Sequence, residues 1–451
     1  MELSNIQRVY LIGIGGIGMS GLARYFHKRG CEVFGYDRTR TVLTDRLADE
    51  GIQVVFEDDP NLIPAAFKTA GPESLIIFTP AIPKDAAIPA YFRTAGFTLM
   101  KRSEVLGIIS RGMYTIAVAG THGKTTTSSI IAHLLKASGY DCSAFLGGIA
   151  TNYDSNVLFG TNNVVVVEAD EYDRSFLTLH PDVAVITSMD ADHLDIYGAK
   201  ENLTDSFLQF AGQVKPGGKL LYHAGLPLEG GSAYGSAGQP PVRAENIRIE
   251  DGTFVFDFRS PGFFLGGMKL ALPGIHNIEN AVASIQVALD LGISPAGIRN
   301  ALESFRGVKR RFEYIVKTAG HIYIDDYAHH PEELRACISA VRALYPQKKL
   351  TTIFQPHLFT RTRDFADGFA EVLSMCDELI MLDIYPAREL PIEGISSATI
   401  MDRMSIPSRR LCSKDDALQL IRAEKPELLL TVGAGDIDTL VEPLKKILED
   451  A

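Results

Sequence analysis

Between Tyr114 and Thr127 the chain reads YTIAVAGTHGKTTT. A short apolar strand runs through a glycine-rich turn, Gly120-Thr121-His122-Gly123, into a helix that opens on Lys124, Thr125 and Thr126. Residues of these types in this order hold nucleotide phosphates. Glycine lets backbone N–H groups approach an anion, the helix N-terminus supplies unpaired donors, Lys124 adds positive charge, and the Thr125 hydroxyl can ligate Mg2+. The common loop is spaced G-x-x-x-x-G-K-[ST], whereas position 118 here is Val, so this loop is shorter. Downstream, four valines at 164–167 end in Glu168-Ala169-Asp170-Glu171. A buried strand thus delivers the Glu168 carboxylate to its carboxyl end, where with Thr125 it repeats the logic of a Mg2+ site in phosphoryl transfer. The run Val183–Thr187 ends in Asp190-Ala-Asp192-His193-Leu-Asp195, and a histidine among acids beside a nucleotide loop makes His193 a ligand candidate. In Pro273-Gly-Ile-His276-Asn277-Ile-Glu-Asn280, Asn277 is placed to cap a helix and Asn280 to read a base edge.

A second glycine motif lies near the start. Gly13-Ile-Gly15-Gly16-Ile17-Gly18 fits G-x-G-x-x-G between a strand and a helix, and Asp37 ends the next strand, where a ribose-binding acid belongs. The geometry suits NAD and the diphosphate of a nucleotide sugar equally. Thr79, after strand Leu75–Phe78, lies at another strand end on the same crevice, and Arg102 is within reach of it. In the last third, strand His321–Asp325 leads into Asp326-Tyr327-Ala-His329-His330-Pro331. Strand Leu350–Phe354 leads into Gln355-Pro-His357-Leu358-Phe-Thr360-Arg361-Thr362-Arg363. Arginine beside histidine at such strand ends suits a small carboxylate, which guanidinium grips through two hydrogen bonds.

Apolar runs bounded by turns alternate with helical patterns, which predicts an α/β chain of largely parallel sheets with helices on both faces. At 451 residues there is too much chain for one core. Three domains are expected, 1–112, 113–308 and 309–451. Helix 19–29 and strand 32–36 follow the first strand, Val9–Ile14; a hairpin is expected around Asp251-Gly252; the third domain has strands near 321–325, 350–354, 378–383 and 428–432. Residues 225–242, rich in Gly, Ser and Pro, read as an exposed loop. A net charge of −11 argues against nucleic-acid or anionic-membrane binding. Five scattered cysteines, none in C-x-x-C spacing, read as reduced thiols of a cytoplasmic protein. No signal peptide and no membrane span are expected.

Taken together, GIGGIGMSGLA (13–23), GTHGKTTT (120–127), EADE (168–171), DADHLD (190–195), PGIHNIENA (273–281), VKRRFE (308–313), DDYAHHP (325–331) and QPHLFTRTRD (355–364) resemble the Mur ligases over nearly the whole length. The resemblance is to their alanine-adding branch. It implies a Rossmann-like N-terminal domain for a UDP-sugar, a central P-loop ATPase domain and a Rossmann-like C-terminal domain that brings the amino acid. By this resemblance Gly15, Gly16, Gly18, Ser20, Asp37, Thr79 and Arg102 contact UDP-N-acetylmuramate, and 120–126 with Lys124 hold the β- and γ-phosphates of ATP. Thr125, Glu168 and His193 hold Mg2+, Asn277 and Asn280 the adenine, Arg311 and Asp326 the phosphates and ribose. Tyr327, His329, His357 and Arg361 surround L-alanine. Catalysis falls to Lys124, Glu168 and His193. Many sister ligases carry a carbamoylated lysine about fifteen residues beyond the metal histidine; position 208 is Leu here, as befits the alanine-adding branch, which lacks that lysine. The family's usual arginine after Pro-His is Leu358, leaving Arg361, helped by Arg363, for the carboxylate.

Three other readings follow from the same residues. One is a recycling ligase that attaches a ready-made tripeptide to the same sugar. A nicotinamide dehydrogenase would use the first glycine motif but leaves Lys124, Glu168 and His193 without a role. A non-catalytic nucleotide sensor has no need of all three.

Overall fold

The computed structural model describes residues 3–449 apart from 81, 84, 191–196, 198, 251 and 388. Three sheets organise the chain. The first is wholly parallel, in the order β3-β2-β1-β4-β5, from β1 (Arg8–Ile12), β2 (Glu32–Tyr36), β3 (Gln53–Val55), β4 (Ser74–Phe78) and β5 (Leu99–Lys101). Its inner strands are apolar at nearly every position because helices cover both faces.

The second sheet has ten strands: β6 (Tyr114–Ala119), β7 (Ser143–Ala150), β8 (Ser155–Leu158), β9 (Val164–Glu168), β10 (Val183–Ile186), β11 (Lys219–His223), β12 (Ser232–Gly235), β13 (Val242–Glu250), β14 (Thr253–Ser260) and β15 (Phe263–Leu270). Their order is β15-β14-β13-β12-β11-β10-β6-β9-β7-β8. The pairings of β6, β9, β10 and β11 are parallel, and β8 turns back antiparallel on β7 at one edge. The third sheet runs β16-β17-β21-β18-β19-β20, built from β16 (Glu313–Lys317), β17 (Ile322–Asp326), β18 (Leu350–Phe354), β19 (Glu378–Met381), β20 (Arg409–Leu411) and β21 (Leu428–Val432). Only its edge strand β16 is antiparallel among the pairings described.

These sheets give three α/β domains but two compact units: Met1–Glu245, Asp257–Met268 and Glu279–Phe305 form one, and Asn246–Phe256, Lys269–Ile278 and Arg306–Ala451 the other. The first two domains group together because they share a core. Val9 and Leu11 of β1, Phe26 and Leu106 of covering helices, and Phe145, Val165 and Ala184 of the second sheet form one apolar cluster. Polar stitching follows the same seam: Arg24 donates to Asn156 at 2.7 Å, and Asn156 donates to the Ile17 carbonyl. In the second unit, Leu334, Ile338 and Phe369 pack with one face of the third sheet, and Ala417, Ile421 and Leu444 with the other.

One expectation fails here. Residues 225–242 are not all exposed loop: β12 forms inside them and pairs parallel with β11 and β13, with Tyr234 wholly buried. Ser, Ala and Gly around one tyrosine give a weak strand pattern, so pairing and burial of that single ring override local preference. Among the described residues, no helix is long and apolar enough to cross a membrane.

Candidate active site

The phosphate loop joins β6 to helix Lys124–Ala137. Glycine is required at both ends of the turn. Gly120 and Gly123 have φ of 141° and 80°, and a side chain at Gly120 would collide with the Thr187 hydroxyl. The loop is pinned from β10: the Thr187 hydroxyl donates to the carbonyls of Ala119 and His122, and the Ser188 hydroxyl accepts from the His122 N–H at 2.7 Å. Thr121 bonds Ser188 at 2.9 Å and accepts from the Asp190 N–H at 3.0 Å. Gly123, rather than a side chain, caps the helix, which leaves its first N–H groups to an anion. Thr126 is buried within that first turn.

Lys124 is engaged inside its own loop. Its ammonium donates to the Gly120 carbonyl at 2.6 Å and pairs with Glu171 at 2.7 Å, and the Glu171 side chain is 1 % exposed. Burial pulls the lysine's pKa down, but Glu171, then Asp170 and Glu168, outweigh it and hold the group charged. The Thr125 hydroxyl donates to Glu168 at 3.1 Å, and the other oxygen of Glu168 accepts from the Gly147 N–H at 2.9 Å. Burial pushes the Glu168 pKa up against the pull of Lys124 and Thr125. A side chain at Gly147 would collide with that carboxylate. Two hard oxygen donors at the mouth of a phosphate loop fit Mg2+, which takes one or two protein oxygens and completes its shell with phosphates and water. His193, the third expected ligand, lies outside the described residues, as do Asp192 and Asp195.

Segment 168–171 does more than its valine run foretells. Glu168 meets Thr125, Asp170 pairs with Arg102 at 3.3 Å, and Glu171 pairs with Lys124. Sequence reasoning missed Glu171 and Gly147. The charge of Glu171 next to a strand-end acid gave a signal for the first; nothing marked the second.

At the first glycine loop, Asp37 accepts from the Gly15 N–H at 2.8 Å and from the Thr39 N–H at 3.1 Å. Gly16 caps helix Ile17–Lys28 without a side-chain bond. The Arg102 guanidinium lies 2.7 Å from where a Cβ on Gly18 would fall, so arginine and loop share one crevice. Thr79 packs on Gly13. Ser20 points inward: it is wholly buried, its hydroxyl donates to the Ile17 carbonyl at 2.8 Å, and Asn156 donates to it at 3.3 Å.

Asn280 belongs to helix Ile275–Asp290 and accepts from the Thr127 hydroxyl at 3.0 Å, beside Gly123. Asn277 does not cap this helix. Its own N–H already bonds the Gly274 carbonyl, and its amide donates to the Pro273 carbonyl at 2.7 Å. Helix Lys200–Gly212 carries Leu208 on its exposed side and Phe207 wholly buried against Phe176, and it has no lysine after Lys200.

The second unit holds the other cluster. Asp326, buried at the end of β17, accepts from the N–H groups of Phe312 and Ala328, each at 2.7 Å, and burial raises its pKa to about 6 despite Arg311. Arg311 lies 5.4 Å over the Tyr327 ring. The Tyr327 and His329 rings are 5.4 Å apart, His329 and His357 5.9 Å, and Arg361 is 3.4 Å from the His357 Nδ1. His329 Nδ1 faces the Tyr327 carbonyl at 3.0 Å and Glu333 at 3.2 Å, so that nitrogen carries the proton and Nε2 keeps a lone pair. Burial lowers the His329 pKa and favours this neutral form. Leu358, at the position where arginine is usual, has φ 72° and ψ 136° and opens the short helix Phe359–Asp364 that carries Arg361 and Arg363. Arg363 pairs with its neighbour Asp364 at 2.7 Å, both side chains half exposed. Glu389 accepts from Thr360 and anchors the same helix.

A parallel α/β sheet whose phosphate loop presents lysine, threonine and a strand-end glutamate defines a nucleotide-dependent phosphoryl-transfer enzyme. Family models described as Mur ligase family, catalytic domain, Mur ligase middle domain, and Mur ligase, glutamate ligase domain match residues 8–114, 118–288 and 310–435. The chain belongs to the Mur ligase family. It is 50% identical over 451 residues to a UDP-N-acetylmuramate--L-alanine ligase of Flavobacterium johnsoniae, covering 100% of both chains. Among solved structures, a UDP-N-acetylmuramate-alanine ligase from Thermotoga maritima matches with TM-score 0.84 and 26% identity over 98% of each chain. A murein peptide ligase from Psychrobacter arcticus matches in fold, with TM-score 0.71 and 21% identity over 99% of each.

Proposed function

We propose that this protein joins L-alanine to the lactyl carboxylate of UDP-N-acetylmuramate with conversion of ATP to ADP and phosphate, a cytoplasmic step of peptidoglycan-precursor synthesis. The observation that carries the reading is the Lys124–Thr125–Glu168 cluster at the mouth of the phosphate loop, in a chain half identical over its whole length to ligases of that name. Five cysteines without disulfides suit a reducing compartment.

The first glycine loop, with Asp37, Thr79 and Arg102, holds the UDP-sugar. A lactyl carboxylate oxygen attacks the γ-phosphorus of ATP, the bond to the β-phosphate oxygen breaks, and ADP leaves. Lys124 moves from Glu171 to the phosphates and offsets the charge that develops on them. Bound Mg2+ would be held by Thr125, Glu168 and His193 and would neutralise phosphate charge. The resulting acyl phosphate is attacked at its carbonyl carbon by the alanine amine; the C–O bond breaks and phosphate departs. Arg361 grips the alanine carboxylate, and neutral His329 takes a proton from the ammonium at Nε2, which frees the attacking lone pair.

Phosphate release with ATP and UDP-N-acetylmuramate, comparing alanine with a muropeptide tripeptide, tests this reading. Release with alanine upholds it; release with the tripeptide alone replaces it by the recycling reaction.

A further inference from the structure

A second polar cluster sits at the carboxyl ends of β11 and β12, beside the nucleotide loop; of its members only Glu279 falls within a motif noted in the sequence, and none was assigned a role there. His223, the last residue of β11, places Nε2 3.2 Å from Glu279. The other oxygen of Glu279 accepts from the Ser236 N–H at 3.1 Å and from the Ser236 hydroxyl at 2.7 Å. Buried Tyr234 packs edge-on against the imidazole at 5.6 Å. Glu279 immediately precedes Asn280 on helix Ile275–Asp290, and successive helical positions point about 100° apart. One carboxylate is therefore gripped by strand ends, while the next side chain along faces Thr127 and Gly123. A further bond, from the Ser284 hydroxyl to the Thr127 carbonyl at 3.3 Å, ties the same helix to the phosphate-loop helix.

We propose that His223, Ser236 and Glu279 form a positioning clamp that sets the rotation of helix Ile275–Asp290 and so holds Asn280 in register for the nucleotide. The clamp rests on the ATP reading above and names residues that reading does not use. Its logic is electrostatic. Burial alone would raise the Glu279 pKa, but the bonds from His223 and Ser236 bring it below the usual carboxylate range. The Glu279 bond, against burial and with help from Asp190, lifts His223 above the usual imidazole range. The groups facing His223 are Glu279 from the helix, Asp190 from the segment after β10, and Tyr234 from β12. The clamp is thus tight while His223 is protonated and slackens as pH rises through its pKa. A glutamine at 279 can still accept from Ser236, but its amide N–H can bond only a neutral imidazole. Its pH dependence must run the other way.

Calorimetric titration of the full chain with Mg·ADP, between about pH 6 and 9, compares wild type with Glu279→Ala, Glu279→Gln and His223→Gln. The clamp predicts Kd raised about fivefold in Glu279→Ala and His223→Gln, roughly 1 kcal/mol. It predicts a wild-type Kd that rises with pH and a Glu279→Gln Kd that falls with pH. Phosphate release under saturating ATP should keep kcat within about twofold of wild type, because the clamp acts on nucleotide placement. Should Glu279→Ala fail to fold, the opposed slopes of wild type and Glu279→Gln decide the matter. Parallel slopes, or unchanged Kd in both Glu279→Gln and His223→Gln, overturn the clamp. A wild-type chain that binds Mg·ADP with these slopes yet releases no phosphate overturns the ligase reading and leaves the clamp standing.

Discussion

The chain uses the same backbone device twice, and the two copies are tuned differently. Both glycine loops lead from a buried parallel strand into the N-terminus of a helix, and both helices are capped by glycine with no side-chain bond. The first loop carries no cation of its own. An acid, Asp37, holds the Gly15 N–H, and the nearby positive charge, Arg102, comes from another helix and is paired with Asp170. The second loop carries Lys124 within the turn, paired with the more deeply buried Glu171. A loop that only binds a diphosphate can take its charge from a neighbour, whereas one that moves a phosphoryl group needs charge that travels with the reacting atoms.

The sharpest break in that comparison is Lys124→Ala, expected to lower kcat for phosphate release by about a thousandfold or more while the UDP-sugar still binds by calorimetry. Gly147→Ala attacks the same loop from beneath by displacing the Glu168 carboxylate. A loss of about a hundredfold in kcat/KM is expected, with ordinary folding by circular dichroism. Gly18→Ala tests the first loop alone, since its methyl displaces Arg102. The KM for UDP-N-acetylmuramate should rise about tenfold with the ATP KM unmoved, and a rise in both would show that the loops are not separable. The mildest is Glu171→Gln, which removes the charge that competes with phosphate for Lys124. The ATP KM should fall about threefold as kcat also falls, and a raised KM would mean that Glu171 orients the lysine rather than storing it.

Much of the site was legible because its residues follow from local rules. A strand, glycines and a lysine at a helix start declare themselves in a dozen residues, and four valines before Glu168 foretell a buried strand with a carboxylate at its end. Some of what stayed hidden depends on partners distant in sequence, and some on local backbone detail. Gly147 matters only because Glu168 arrives twenty-one residues later to fill the space above it. Asn277 looked like a cap, yet the helix had already begun at Ile275. Residues 232–235 lacked strand composition, and only the burial of Tyr234 drew them into the sheet. Leu358 occupies an arginine's place in the pattern, and its backbone at φ 72° would not be guessed from a leucine.

The acidic run at the end of β9 has an outcome of its own. Its first residue meets the hydroxyl expected to face a metal, its third meets an arginine of the first domain, and its fourth meets the lysine of the phosphate loop. Consecutive Cα atoms stand about 3.8 Å apart, so all three partners are held from a span of chain no longer than about 11 Å. Cations of two domains, Arg102 and Lys124, are thus neutralised by adjacent acids of one short span, which fastens the first domain to the phosphate-loop domain by charge as well as by packing.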